Sequence, residues 1–181
     1  MMYFERNGEM DLRTNRKCAG GTGTFLAHMA AFFGVDIQAL NALAENGIHL
    51  YPIASRCGVY AKTDIQALMN QGVGQADLAA SIFQAVVNQV LSDLAKGRLI
   101  QGKLALLGGP FAFMPALRRS FLQTIGISSA DVLPVTHGEL YCAWGAALLG
   151  RKAAPIAWQD VKRLLDQDHL QEVAAERLEP L

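Results

Sequence analysis

The sequence predicts an α/β fold, and two patterns carry that expectation. Late in the chain, short apolar runs alternate with helical periodicities: Lys103 to Leu107 precedes a helix near Pro115, and Val132 to Val135 precedes a helix over Gly138 to Leu149, as layered strands and helices require. Twice, a glycine-rich segment stands where a helix begins, at Cys18 to Gly23 and at Gly108 to Pro110. The 181 residues, 51% of them hydrophobic, are enough to bury one core.

Met2 to Glu5 and Met10 to Thr14 are extended candidates around Arg6-Asn7-Gly8, and Asn-Gly between two such runs predicts a hairpin. After the first glycine segment, Phe25, Leu26, Met29, Ala30 and Phe33 mark one face of a helix that ends near Gly34. Asp36 reads as the N-cap of a short helix through Leu43, with Gly47 closing it. A connector from Ile48 to Ser55 leads to Arg56-Cys57-Gly58 and a helix around Asp64 to Asn70.

From Asp77 to Leu94 the apolar residues Leu78, Ile82, Val86, Val90 and Leu94 recur every four positions, with Phe83, Val87 and Leu91 widening the face. That pattern predicts a deeply buried helix. Lys103 to Leu107 then reads as a strand stopping at the sharp turn Gly108-Gly109-Pro110, and Gly145, Ala146 and Ala147 suit a helix with closely packed turns. Trp158 to Leu165 reads as a surface helix, and Gln167 to Leu181 as a charged tail.

Lys+Arg and Asp+Glu both number 16, with no basic run, so nothing builds an electrostatic footprint for nucleic acid. Apolar stretches such as Ala79 to Val87 are too short to span a bilayer, and Glu5, Arg6 and Glu9 stand where a signal peptide needs an apolar core. The expected setting is cytoplasmic, with no membrane partner. There Cys18, Cys57 and Cys142 stay reduced, fit for metal or redox work or for burial as plain core residues; Cys142, beside Trp144, reads as core.

Glycines ahead of a helix N-terminus let backbone N–H groups approach an anion, and the same residues serve tight turns. Neither glycine segment matches the Walker A or dinucleotide patterns. Two cysteines cannot complete a four-ligand site within one chain, whereas a symmetric dimer supplies four. His28, His49, His137 and His169 are scattered, and no serine has a nucleophile-elbow context. The catalytic residues are not identifiable from these patterns.

Read together, Asn15-Arg16-Lys17-Cys18-Ala19-Gly20-Gly21-Thr22-Gly23-Thr24-Phe25-Leu26 resembles the Asn-Asp-Lys-Cys-Ala-Ala-Gly-Thr-Gly-x-Phe-Leu segment of the 2-hydroxyacyl-CoA dehydratase activators, which belong with the benzoyl-CoA reductase-type ATPases. Ser55-Arg56-Cys57-Gly58-Val59-Tyr60-Ala61 resembles their second cysteine segment, Leu107-Gly108-Gly109-Pro110 their Thr-Gly-Gly-Val, and Gly145-Ala146-Ala147-Leu148 their closing Gly-Ala-Ala-Leu. Lys62-Thr63-Asp64 and Pro110-Phe111-Ala112-Phe113 depart from the family pattern, and resemble more closely an activase domain of the large fused activator-like proteins.

The resemblance implies the C-terminal half of an actin/Hsp70/sugar-kinase-like (ribonuclease H-like) ATPase fold. Residues 1–155 would form that subdomain and 156–181 a helical extension. It implies a homodimer sharing one [4Fe-4S] cluster between subunits, with Cys18 and Cys57 as ligands, and ATP or ADP with Mg on the side of Gly108, Gly109 and Pro110. The implied function is ATP-dependent transfer of a low-potential electron to a 2-hydroxyacyl-CoA dehydratase-like partner. The family's Gly-Gly-Gln-Asp-like phosphate loop has no counterpart in the sequence, so little ATPase activity is expected of this stretch alone. Two alternatives stand beside this: a sugar or small-molecule kinase relative of the same fold, or a non-catalytic nucleotide-binding or interaction domain of a larger polypeptide.

Overall fold

The structure is a computed structural model that describes residues 1–15, 23–54, 58–151 and 153–168. These fall into two compact units, Met1–Tyr141 and Cys142–Leu181.

In the first unit, strands β1 (Met2–Phe4) and β2 (Met10–Leu12) pair antiparallel with Tyr3 opposite Asp11. The expected Asn-Gly turn joins them: Gly8 has φ +85°, and Asn7 Oδ1 accepts the Glu9 N–H at 3.0 Å. Three helices follow, α1 (Gly23–Phe32), α2 (Ile37–Glu45) and α3 (Gly58–Asn70). Gly34 lies beyond α1 with φ +69°, the left-handed conformation that ends a helix cheaply only at glycine. Asp36 caps α2 by accepting the Ala39 N–H at 2.7 Å.

The center of the unit is α4 (Gln75–Val90), the helix with the four-residue apolar repeat. Leu78, Ile82, Phe83, Val86 and Val87 are all buried, and the helix packs against α2 and α6 (Pro115–Ile125). Each such side chain contributes about 1.5–3 kcal/mol of apolar transfer free energy. With its continuation, a π-helical turn over Leu91–Ala95, this helix is long and apolar enough by composition to cross a membrane, but 56% of its most apolar window is buried inside the fold. That is the position of a core helix.

Gly47 does not close α2. The C-cap is Asn46, and Gly47 is required by packing: a Cβ there would lie 2.5 Å from Ala80 Cβ and 2.7 Å from the Ala76 carbonyl oxygen of α4. The connector after it is pinned to the same helix. Asp77 accepts the N–H groups of Ile48 (2.7 Å) and His49 (3.1 Å), while Ser81 Oγ accepts the Tyr51 N–H at 2.9 Å and donates to the Asp77 carbonyl at 2.6 Å.

The two late strands are reduced to one parallel bridge, Leu104 with Val132, in which the Leu104 N–H donates to Asp131 O and the Leu133 N–H to Leu104 O, both at 2.8 Å. Among the described residues no further strand flanks the bridge, and a short parallel pair has too few hydrogen bonds to extend on its own. A one-turn helix α5 (Gly109–Phe113) precedes α6, and 3-10 turns occupy Ser129–Asp131 and Gly138–Leu140.

In the second unit, α7 (Tyr141–Gly150) and α8 (Trp158–Asp168) are the described helices. None of α7 is buried, and Cys142 is exposed, contrary to the core position expected of it. The helix is apolar around its whole circumference, so composition signals burial without naming a covering surface.

Two outcomes follow. Gly47→Ala is expected to lower stability by about 1–3 kcal/mol, since the close approach to α4 leaves no space for a methyl group; an unchanged urea midpoint would disprove that account. The backbone donors of His49 and then Ile48 hold the Asp77 carboxyl below its ordinary pKa of 3.8. Its contribution is therefore complete above that value and is lost as the pH falls through the lower folded-state pKa. The stability gap between the wild type and Asp77→Asn should close between about pH 5 and about pH 2, and a gap independent of pH would contradict this role.

Candidate functional site

The glycine turn expected to face a nucleotide is built from both sides. Gly108 has φ +99° and ψ 158°, a region open to glycine alone at low cost, and nothing lies within 4 Å of where its Cβ would be. Pro110, in the first turn of α5, fixes the exit of the chain. The Gly108 N–H donates to the Gly138 carbonyl at 3.0 Å, which ties the turn to the segment before α7. Gly138 is buried, with Val135 Cγ1 only 3.1 Å from a Cβ placed there, so this segment too must be glycine to fit.

The sequence reading missed this second half of the wall. It took Gly138 for the start of a helix, whereas α7 begins at Tyr141 and residues 138–140 form a separate 3-10 turn. His137 just before it is left-handed (φ 54°, ψ 45°), with Nδ1 3.6 Å from Glu139 Oε1. A lone glycine ahead of an apolar small-residue helix was the available signal. Elsewhere, a cleft of about 290 Å³ between α2, α4 and α6 is lined by Phe83, Gln84, Glu45 and Arg119, and by none of Gly108, Gly109 or Pro110.

Cys18 and Cys57 lie outside the described residues, but the chain on either side of each is fixed. Before Cys18, Asn15 Nδ2 donates to Asp93 Oδ2 at 3.0 Å. Asp93 also accepts from Gln89, which is 2% exposed and whose Oε1 has no hydrogen-bond partner. Before Cys57, the Ala54 N–H donates to Asp64 Oδ2 at 2.8 Å. After the cysteines, the two helices start against each other: the Phe25 ring of α1 lies 3.6 Å from where a Cβ on Gly58, the first residue of α3, would stand.

Two helix N-termini thus meet at the residues that follow the cysteine segments. Each carries about half a positive charge, so the place favours thiolates and an anionic group held by them. The donor set and its electrostatics fit an iron–sulfur cluster, with the remaining ligands supplied from elsewhere. Among the described residues, no group of His, Cys, Asp and Glu side chains has the arrangement of a metal site.

This architecture, a central buried helix with a glycine turn tied to the segment before the closing small-residue helix, is part of an actin-like ATPase fold. Residues 2–150 match the BadF/BadG/BcrA/BcrD ATPase family, and the chain belongs to that family. The 2-hydroxyisocaproyl-CoA dehydratase activator of Clostridioides difficile is 27% identical over 165 residues, 91% of this chain and 60% of that protein. Component A of the (R)-2-hydroxyglutaryl-CoA dehydratase of Acidaminococcus fermentans superposes with a TM-score of 0.71 at 26% identity, over 82% of this chain and 55% of that one. The Clostridium difficile activator solved with bound ADPNP gives a TM-score of 0.69 at 26% identity, over 96% of this chain and 60% of that one. The family and the fold implied by the sequence motifs both hold. The chain spans between 55% and 60% of the length of these relatives.

Asp64→Ala is expected to release the Ala54 amide at a cost of about 0.5–1.5 kcal/mol. Hydrogen exchange at Ala54 should quicken about tenfold; protection equal to wild type would show that Asp64 does not hold this segment.

Proposed function

We propose that the chain is part of an ATP-dependent activator that delivers a low-potential electron to a 2-hydroxyacyl-CoA dehydratase-like protein. In this reading Cys18 and Cys57 are cluster ligands, and two copies of the chain bring four thiolates around one axis. Gly108, Gly109 and Pro110 line the nucleotide side, where ATP or ADP binds with Mg. A [4Fe-4S] cluster, when bound, supplies one-electron redox chemistry at low potential.

The observation that carries the proposal is the meeting of α1 and α3 at Phe25 and Gly58, next to the segments that hold the two cysteines. The chain's own contribution is to hold those segments still. Asp64 fixes the approach to Cys57, and Asp93 with Gln89 fixes the approach to Cys18. The two helix N-termini keep thiols ionised at neutral pH. On the other side, the φ of Gly108 and its bond to Gly138 keep the backbone open for a phosphate-bearing ligand. Membership of an ATPase family and a structural relative with bound ADPNP support the nucleotide half of the reading. Relatives named as dehydratase activators support the partner.

The test is anaerobic reconstitution with iron and sulfide, read by metal analysis and visible absorption, on the chain and on its Cys18→Ser and Cys57→Ser variants. About four irons per pair of chains, lost in either variant, is the expected result. Iron content unaffected by either substitution, or no iron in the wild type, would overturn the assignment of the ligands.

A further inference from the structure

Phe113 and His137 are two flat side chains left in solvent on either side of the glycine turn. α5 carries two phenylalanines with opposite fates. Phe111 turns inward and meets Phe121 edge to face at 5.2 Å, while Phe113 is 61% exposed. Exposing a phenylalanine to that extent forgoes apolar burial that Phe111, two residues away, obtains. Its ring nevertheless has a fixed place: it lies 3.8 Å from where a Cβ on Gly109 would stand, over the second glycine of the pair.

His137 sits across the Gly108–Gly138 hydrogen bond, next to the buried glycine. Its left-handed backbone would be met at lower cost by glycine, and its side chain is 62% exposed with Glu139 as its charged neighbour. The other left-handed residue that is not glycine, Lys96, caps the π-helical turn, a plain structural task. His137 has no such task to account for its ring. The 3-10 turn that follows it packs directly on α5, so the two rings belong to one wall with the glycine turn between them.

We propose that Phe113 and His137 form the subsite for the purine base of the bound nucleotide, stacking on it while Gly108 and Gly109 let the rest of the ligand approach the backbone. The inference rests on the nucleotide reading above and adds the residues that select a base. Aromatic faces hold a base by offset stacking, which truncation to a small residue weakens.

Calorimetric titration of the chain with MgADP and with magnesium pyrophosphate separates base from phosphate. Phe113→Ala and His137→Gly should each weaken ADP by about tenfold, leave pyrophosphate unchanged, and keep the circular dichroism of the wild type. Phe113→Tyr, which keeps the ring, should bind ADP as the wild type does. ADP affinity equal to wild type in both truncated variants would remove the base subsite and leave the nucleotide reading standing. A parallel loss of ADP and pyrophosphate would assign the two residues to packing and equally overturn the proposal. A wild-type chain that binds neither ligand would take the nucleotide reading down, and this inference with it.

Discussion

The burial of one helix is the constraint on which the first unit depends. α4 presents an apolar surface too wide to be covered by a single neighbour, so α2 and α6 pack on it together. Its polar positions do as much for the rest of the chain. Asp77 and Ser81 take up the backbone donors of the connector after α2, and Gly47 allows that connector to lie directly on the helix. At the far end Gln89 and Asp93 reach the last described residue before the first cysteine segment. The same helix therefore organises the hydrophobic core and one approach to the proposed ligand site.

Much of this was legible in the residues themselves. The four-residue repeat of α4, the Asp36 cap and the Asn7-Gly8 turn are local signals, each decided by chemistry within a few positions. Gly47 was read as a helix stop because glycine serves both as a terminator and as a point of close approach, and only the Ala76 and Ala80 contacts distinguish the two. The run Lys103 to Leu107 passed for a strand by its hydrophobicity. What it lacked was partners, which no local pattern reports.

The candidate site was legible in part for the same reason. The glycine pair announces itself, whereas the buried Gly138 and the ring of His137 matter through a hydrogen bond to a residue 30 positions earlier. Cys142 shows the opposite error: small apolar neighbours signal burial, yet it is exposed. Composition states that a surface prefers cover and is silent about what provides it.

The hairpin at the start of the chain is attached in a different manner from the helices. Met2, Phe4, Met10 and Leu12 face outward, and the hairpin is held by Arg98, which stacks on Tyr3 at 4.0 Å and pairs with Glu5 and Asp11. Arg13 adds a second clasp, donating to the Ala95 carbonyl at 2.6 Å. Charged clasps near a surface weaken as salt shortens the Debye length, while apolar packing does not. Ionic strength thus acts selectively on this molecule: moderate salt loosens the hairpin from the end of α4 and leaves the helical core intact, which makes the hairpin the first cooperative piece to open and the last to close.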